Sequence, residues 1–218
     1  MLISKKIMTV HDPLQHSGTV NEEYQEQARR KTFKWIDKYI LLNNQQVDVF
    51  SKTYDIPKDN IIISKLGVYE SLKFLSYHTP KTETPYILFF GQILPYKGIE
   101  YLLDAMLLVN RECKDINLLI AGNGRIYFDM TQYADKDFIK IENRYIGISE
   151  LAGLISNSLF VVCPYKDATQ SGVIQTAFAL DVPVVGTNVG ALPEMIQDDI
   201  YGKIVPPCDS EMLASVIV

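Results

Sequence analysis

The stretch from Leu159 to Glu194 does most to limit what this chain can become. Leu159 to Cys163 is a short apolar run, which predicts a strand buried on both faces. A polar turn, Pro164 to Gln170, follows, and Ser171-Gly172 lead into apolar residues at helical spacing: Val173, Ile174, Ala177 and Phe178. Asp181 and Pro183 end that helix, and Pro183-Val184-Val185 open the next strand. The unit reads β-loop-α-β, with its polar loop at the carboxyl end of a strand, where open parallel sheets bind ligands. Thr169, Gln170, Ser171 and Gly172 fall at the helix start, where free N–H groups and the helix dipole attract an anion. An ordinary capped helix in an α/β sheet is the plain alternative.

The same alternation extends through the second part of the chain. Strands are predicted at Tyr86–Phe90, Asn117–Ala121, Phe138–Glu142, Leu159–Cys163, Pro183–Gly186 and Lys203–Val205. Helices are predicted near Gly98–Asn110, Arg125–Ala134, Ser149–Ser156 and Ser171–Leu180. Each crossover is long enough for parallel pairing, so residues 85–218 predict a doubly wound, Rossmann-like α/β domain. Before it, Ile3–Val10 predicts a strand that delivers His11-Asp12-Pro13 to a loop. Asn21 is placed to cap a helix running to about Ile36; a strand (Tyr39–Leu42), a helix (Gln45–Tyr54) and a strand (Ile61–Ser64) follow. Residues 1–67 then form a partial α/β domain, and the weakly periodic residues 68–84 read as a linker. The first domain has only about three strands, and the final helix from Asp209 stops at apolar Val218. Both ends read as interruptions, and the expectation is a piece of a longer protein.

Charge and cysteine usage narrow the class. The net charge of −5 argues against nucleic acid as a general partner. No apolar run approaches a membrane span, and MLISKKIMTV lacks the long apolar region of a signal peptide. Cys113, Cys163 and Cys208 are odd in number and widely spaced, which predicts reduced thiols in the cytoplasm. No zinc-type spacing is visible. The Arg29–Trp35 run could touch anionic lipid at the inner face of a membrane, against the plainer reading of a solvated helix face.

Other residues could carry chemistry. In Phe89–Gly98 a strand, a loop and a helix start succeed one another; Gly91 admits a ligand to the backbone, and Lys97 puts a cation where a diphosphate would sit. The alternative for Lys97 is a solvated surface lysine. Ala121-Gly122-Asn123-Gly124 is a tight turn that does not complete a dinucleotide fingerprint. Asp135-Lys136-Asp137 has a metal–diphosphate pattern but falls at the amino edge of the sheet, so no metal site is assigned. His11 is a possible acid, base or hydrogen-bond donor.

FFGQILPYKG, IAGNG, PYKDATQSGVIQTAFALDVPVVGTNVGALPE and YGKIVPP, in that order, resemble the retaining glycosyltransferases of the GT-B fold, family 4. The resemblance covers about residues 60–218, and TVHDP resembles the family's first domain. It implies a GT-B protein that moves a sugar from a nucleoside diphosphate donor to a glycan or lipid-linked acceptor, with retention at the anomeric carbon. It implies neither metal nor any cofactor beyond the donor. Lys97 would bind the diphosphate, and the family's usual arginine is here the neutral Gln92. The family's two glutamates, one facing the donor sugar and one holding the ribose, correspond to Asp167 and Gln175. Backbone amides near Gln170, Ser171, Gly172 and Val173 would cradle phosphate or sugar, and His11 would face the anomeric centre. Two other readings stay open: a nucleotide-sugar epimerase, which shares the fold but needs more acid/base residues than the sequence offers, and a non-catalytic nucleotide-binding fragment, which the interrupted ends, Gln92 and Gln175 favour.

Overall fold

The computed structural model describes residues 5–13, 22–65, 67, 69–76, 84–197 and 199–218. The chain divides into two compact units, Met1–Leu66 and Gly67–Val218.

In the first unit, β1 (Ile7–Val10), β2 (Lys38–Leu41) and β3 (Ile61–Ile63) pair in parallel, in that order. The crossovers are α1 (Glu22–Phe33) and α2 (Val47–Tyr54). Both connections step the same way across the sheet, so right-handed crossovers put both helices on one face. That face holds the core: Val10, Tyr39 and Leu41 from the strands meet Phe33 and Phe50 from the helices, the aromatic rings edge to face at about 5.5 Å. Ile7 and Ile62 are exposed. Arg29 donates to the carbonyls of Asp12 (2.6 Å) and Pro13 (3.2 Å), and Tyr54 OH also reaches Pro13 O, 3.1 Å away. The loop that carries His11 is thereby fastened to α1 and α2. Arg30 pairs with Glu26 at 2.9 Å. Two cations of the Arg29–Trp35 run therefore have partners inside the unit, and Trp35 stays exposed. Ile3 and the cap expected at Asn21 lie outside the described residues.

The second unit opens with α3 (Leu72–Ser76). Within residues 68–84, expected as a linker, Leu72–Ser76 is thus helical, and residues 68 and 77–83 lie outside the described residues. Leu72 is buried in the second unit's core, and Lys73 pairs with Asp181 at 2.8 Å. A short amphipathic turn lacked the length to show as periodicity. Six parallel strands follow: β4 (Tyr86–Phe90), β5 (Asn117–Gly122), β6 (Ile139–Asn143), β7 (Val161–Cys163), β8 (Val184–Thr187) and β9 (Gly202–Val205). Their order is β6-β5-β4-β7-β8-β9. The helices are α4 (Ile99–Glu112), α5 (Ile148–Asn157), α6 (Gly172–Ala179), α7 (Leu192–Met195) and α8 (Ser210–Ile217). α4 packs with α8, and α3 packs with α5 and α6. These are the two faces of a doubly wound sheet, and every residue of β4 is buried between them.

The helix expected at Arg125–Ala134 is absent; the segment is irregular, with turns from Thr131 onward. Asp129 Oδ1 accepts from the amide of Thr131 at 2.9 Å and from its hydroxyl at 2.6 Å. That local bond competes with the helical ladder. Tyr133, buried, donates to Asp104 on α4 at 2.5 Å, so the spaced apolar residues are satisfied by docking onto α4.

Burial on both faces makes β4 the mechanical centre of the second unit. Leu88→Ala is expected to cost about 2–5 kcal/mol. Ile62→Ala, on an exposed face, is expected to change stability by no more than about 0.5 kcal/mol. Urea unfolding followed by circular dichroism measures both.

Candidate active site

Successive strands step outward in one direction from β4 through β5 to β6, and in the other from β7 through β8 to β9. β4 and β7 are neighbours, so the loops that leave their carboxyl ends diverge and open a crevice there. The loop after β4 runs from Gly91 through the 3₁₀ turn Pro95–Lys97 to Gly98; the loop after β7 runs from Pro164 to Ser171.

Close backbone contact locks these loops together. Lys166 N donates to Tyr96 O at 2.8 Å. Gly98 has φ +63°, and a Cβ there would lie 2.1 Å from the carbonyl oxygen of Pro164. On the other side, Gly190 has φ +49°, and a Cβ would lie 1.7 Å from Ala168 O. Neither position admits another residue without moving backbone. Thr187, at the end of β8, donates its hydroxyl to Tyr165 O at 2.6 Å.

Lys97 is half-buried in this crevice, and its Nζ lies 3.7 Å from the centroid of the Tyr165 ring and 5.1 Å from that of Tyr96. Among the described residues no carboxylate pairs with it. Burial pushes its ammonium down from the ordinary 10.5 to about 8. Beneath it, burial pushes the Cys163 thiol up to about 11, so that sulfur is protonated. Ser171 caps α6, accepting from Ile174 N at 3.4 Å, and its hydroxyl lies 3.4 Å from Tyr165 OH. Its side chain is therefore committed to the cap. The first-turn amides of Gly172 and Val173 lie outside the helical ladder, and a Cβ on Gly172 would meet nothing within 4 Å. The positive end of α6 opens into free space. Beside it, Gln92, Leu94, Asn123, Arg125, Tyr127 and Phe128 contribute to a cleft of about 710 Å³ between the β4 and β5 loops.

Residues 84–218 match the profile of the glycosyl transferases group 1. The chain belongs to this family. Among curated members, it is 32% identical over 138 residues to a phosphatidyl-myo-inositol mannosyltransferase of Mycobacterium leprae, covering 61% of this chain and 36% of that one. It is 25% identical over 139 residues to an alpha-D-kanosaminyltransferase of Streptomyces kanamyceticus, covering 62% and 36%. The aligned region is thus about a third of these relatives' length. Two solved glycosyltransferase-fold structures share its architecture. Sucrose-phosphate synthase of Thermosynechococcus elongatus matches with a TM-score of 0.73 at 20% identity, over 97% of this chain and 57% of that one. Anabaena HepE, solved with UDP-glucose, matches with a TM-score of 0.74 at 15% identity, over 98% and 61%. At these identities the likeness establishes the GT-B fold.

Set on this family fold, Gly91, Gln92, Lys97, Asp167, Gln170, Ser171, Gly172, Val173 and Gln175 all fall on the β4 loop, the β7 loop or the first turns of α6. Gln92 and Asp167 are exposed, and Gln175 is half-buried. His11 belongs to the first unit, exposed at the carboxyl end of β1. Asp135 and Asp137 precede β6 at the amino edge, and Asp135 pairs with Lys136 at 2.7 Å. Among the described residues no group of three or more His, Cys, Asp or Glu could hold a metal ion. No helix there is long and apolar enough to cross a membrane. Sequence reading missed Tyr165, whose place two residues after a buried strand was the available signal.

Because the folded pKa of Lys97 lies below its unfolded value, the unfolded chain holds more protons between about pH 8 and 10.5, and stability rises across that window. Lys97→Met, without ligand, is expected to be more stable than the unsubstituted protein at pH 7. The gap should close as the pH rises from about 8 toward 10.5. Thermal unfolding at a series of pH values reads this directly.

Proposed function

We propose that this glycosyltransferase chain binds a nucleoside diphosphate sugar at the β4/β7 crevice and transfers the sugar with retention to a glycan or lipid-linked acceptor. The observation that carries the reading is Lys97. It is a half-buried ammonium with no carboxylate partner among the described residues, set at the crevice into which α6 opens its N-terminus. Keeping an unpaired cation half-buried is costly, and an anionic ligand offsets the cost. The diphosphate lies against Lys97 and the amides of Gly172 and Val173. The nucleoside occupies the adjoining 710 Å³ cleft, whose volume lies within the usual range for small-molecule sites. That HepE was solved with UDP-glucose supports a donor of this class.

The chemistry follows from charge. As the bond between the anomeric carbon and the diphosphate oxygen breaks, negative charge gathers on the leaving group. Lys97 and the α6 dipole are fixed before the reaction and stabilise that charge without reorganising. Asp167 faces the donor sugar, and Gln175 offers both a donor and an acceptor to the ribose diol. The exposed Gln92 is uncharged and adds no cation beside Lys97.

Removing the ammonium removes a charge-assisted bond of about 1.5–3 kcal/mol. Lys97→Ala should weaken nucleoside diphosphate binding roughly 10- to 150-fold and leave plain nucleoside binding unchanged. Affinity of the unsubstituted protein should fall as pH rises through about 8, where the ammonium deprotonates. Calorimetry with both ligands checks this; equal weakening of both marks general damage instead. Sugar transfer should also survive a chelator, and Asp135→Asn with Asp137→Asn should leave it unaltered. Complete dependence on Mn²⁺ or Mg²⁺ overturns the metal-free reading.

A further inference from the structure

Three loops border the crevice and its cleft, and one carboxylate, set just after the first of them, bonds to the other two. Glu100 stands in the first turn of α4, directly after the β4 loop. Its Oε1 accepts from Lys166 Nζ of the β7 loop at 2.7 Å. Its Oε2 accepts from the hydroxyl of Tyr127, in the β5 loop, at 2.8 Å. The same hydroxyl oxygen accepts from Ile99 N at 3.4 Å, which returns the contact to the start of α4. Each carboxylate oxygen is thus committed to a different loop. Burial and the neighbouring Glu100 hold the Tyr127 phenol well above its ordinary value, so it remains a donor.

Stability alone does not account for this arrangement. The side chains of Lys166 and Glu100 are 31% and 24% exposed, and ion pairs near water contribute little to folding. What the carboxylate fixes is spacing. Lys166 is the neighbour of Asp167 and is also held through its backbone by Tyr96, while Tyr127 lines the wall of the cleft. We propose that Glu100 is a positioning residue for donor binding, holding the β7 loop and the cleft wall at the separation that a nucleoside diphosphate spans. The proposal rests on the donor-site reading above.

The test compares Glu100→Ala and Glu100→Gln in the full chain. Glutamine keeps the shape, can accept from Lys166 with its carbonyl and can donate to the Tyr127 oxygen with its amide. Hydrogen exchange is read at residues 166–173 and across β4, and calorimetry uses UDP and GDP as probes. In Glu100→Ala, amides 166–173 should exchange about tenfold faster while β4 is unchanged, and the better-bound probe should weaken roughly 10- to 100-fold. Glu100→Gln should stay within about threefold of the unsubstituted protein in both. Unchanged exchange in Glu100→Ala overturns the positioning role whatever binds. Glutamine as damaging as alanine, with both variants losing thermal stability, reduces Glu100 to a structural part and overturns it too. Tighter binding in Glu100→Ala overturns it by showing that Glu100 restrains the charge of Lys166. An unsubstituted protein that binds neither probe overturns the donor-site reading and the donor half of this proposal, while the exchange measurement still decides whether Glu100 fixes the loops.

Discussion

The reversal of strand order between β4 and β7 is the constraint on which the rest of the second unit depends. A sheet that continued in one direction would carry every loop over the next strand and leave no gap at its carboxyl edge. Here the chain builds outward to β6 and then returns past β4, with α5 closing the crossover on the opposite face from α4. The gap that results falls beside the start of α6, so topology places a helix terminus where a ligand can reach it. Lys97 adds charge to a position that backbone geometry has already made electropositive.

Closing that gap to the right width takes backbone as well as side chains. Gly98 and Gly190 let two neighbouring segments lie against the Pro164–Ser171 loop closer than any Cβ would allow. Thr187, Tyr96 and Glu100 then hold it by hydrogen bonds from three different elements. The loop is therefore a fitted wall of the site.

Much of this was legible in the sequence because the signals were local. The buried run Leu159–Cys163, the polar turn and the apolar spacing of α6 were visible as pattern, and the structure bears out strand, loop and helix with the strand beginning two residues later, at Val161. The strands of the second unit and the doubly wound class were recognisable for the same reason. What escaped depended on contacts distant in sequence. Met130 and Tyr133 have a spacing that fits a helix, yet an Asx-type bond at Asp129 and a bond to Asp104 on α4 hold the segment as turns. Leu72 joins a core formed far along the chain, so α3 looked like linker. Lys97 could be read as a cation near a helix start, but its place over Tyr165 required the pairing of β4 with β7.

Cys163, finally, gives the molecule an internal reporter. Its thiol is buried at the carboxyl end of β7, protonated, and set beneath the Lys97 ammonium at the centre of the fold, whereas Cys208 lies exposed. Thiol-directed reagents require both access and a thiolate, and Cys163 offers neither until β7 parts from its neighbours. Labelling of Cys163 is therefore expected to be slow and to report the opening of the sheet.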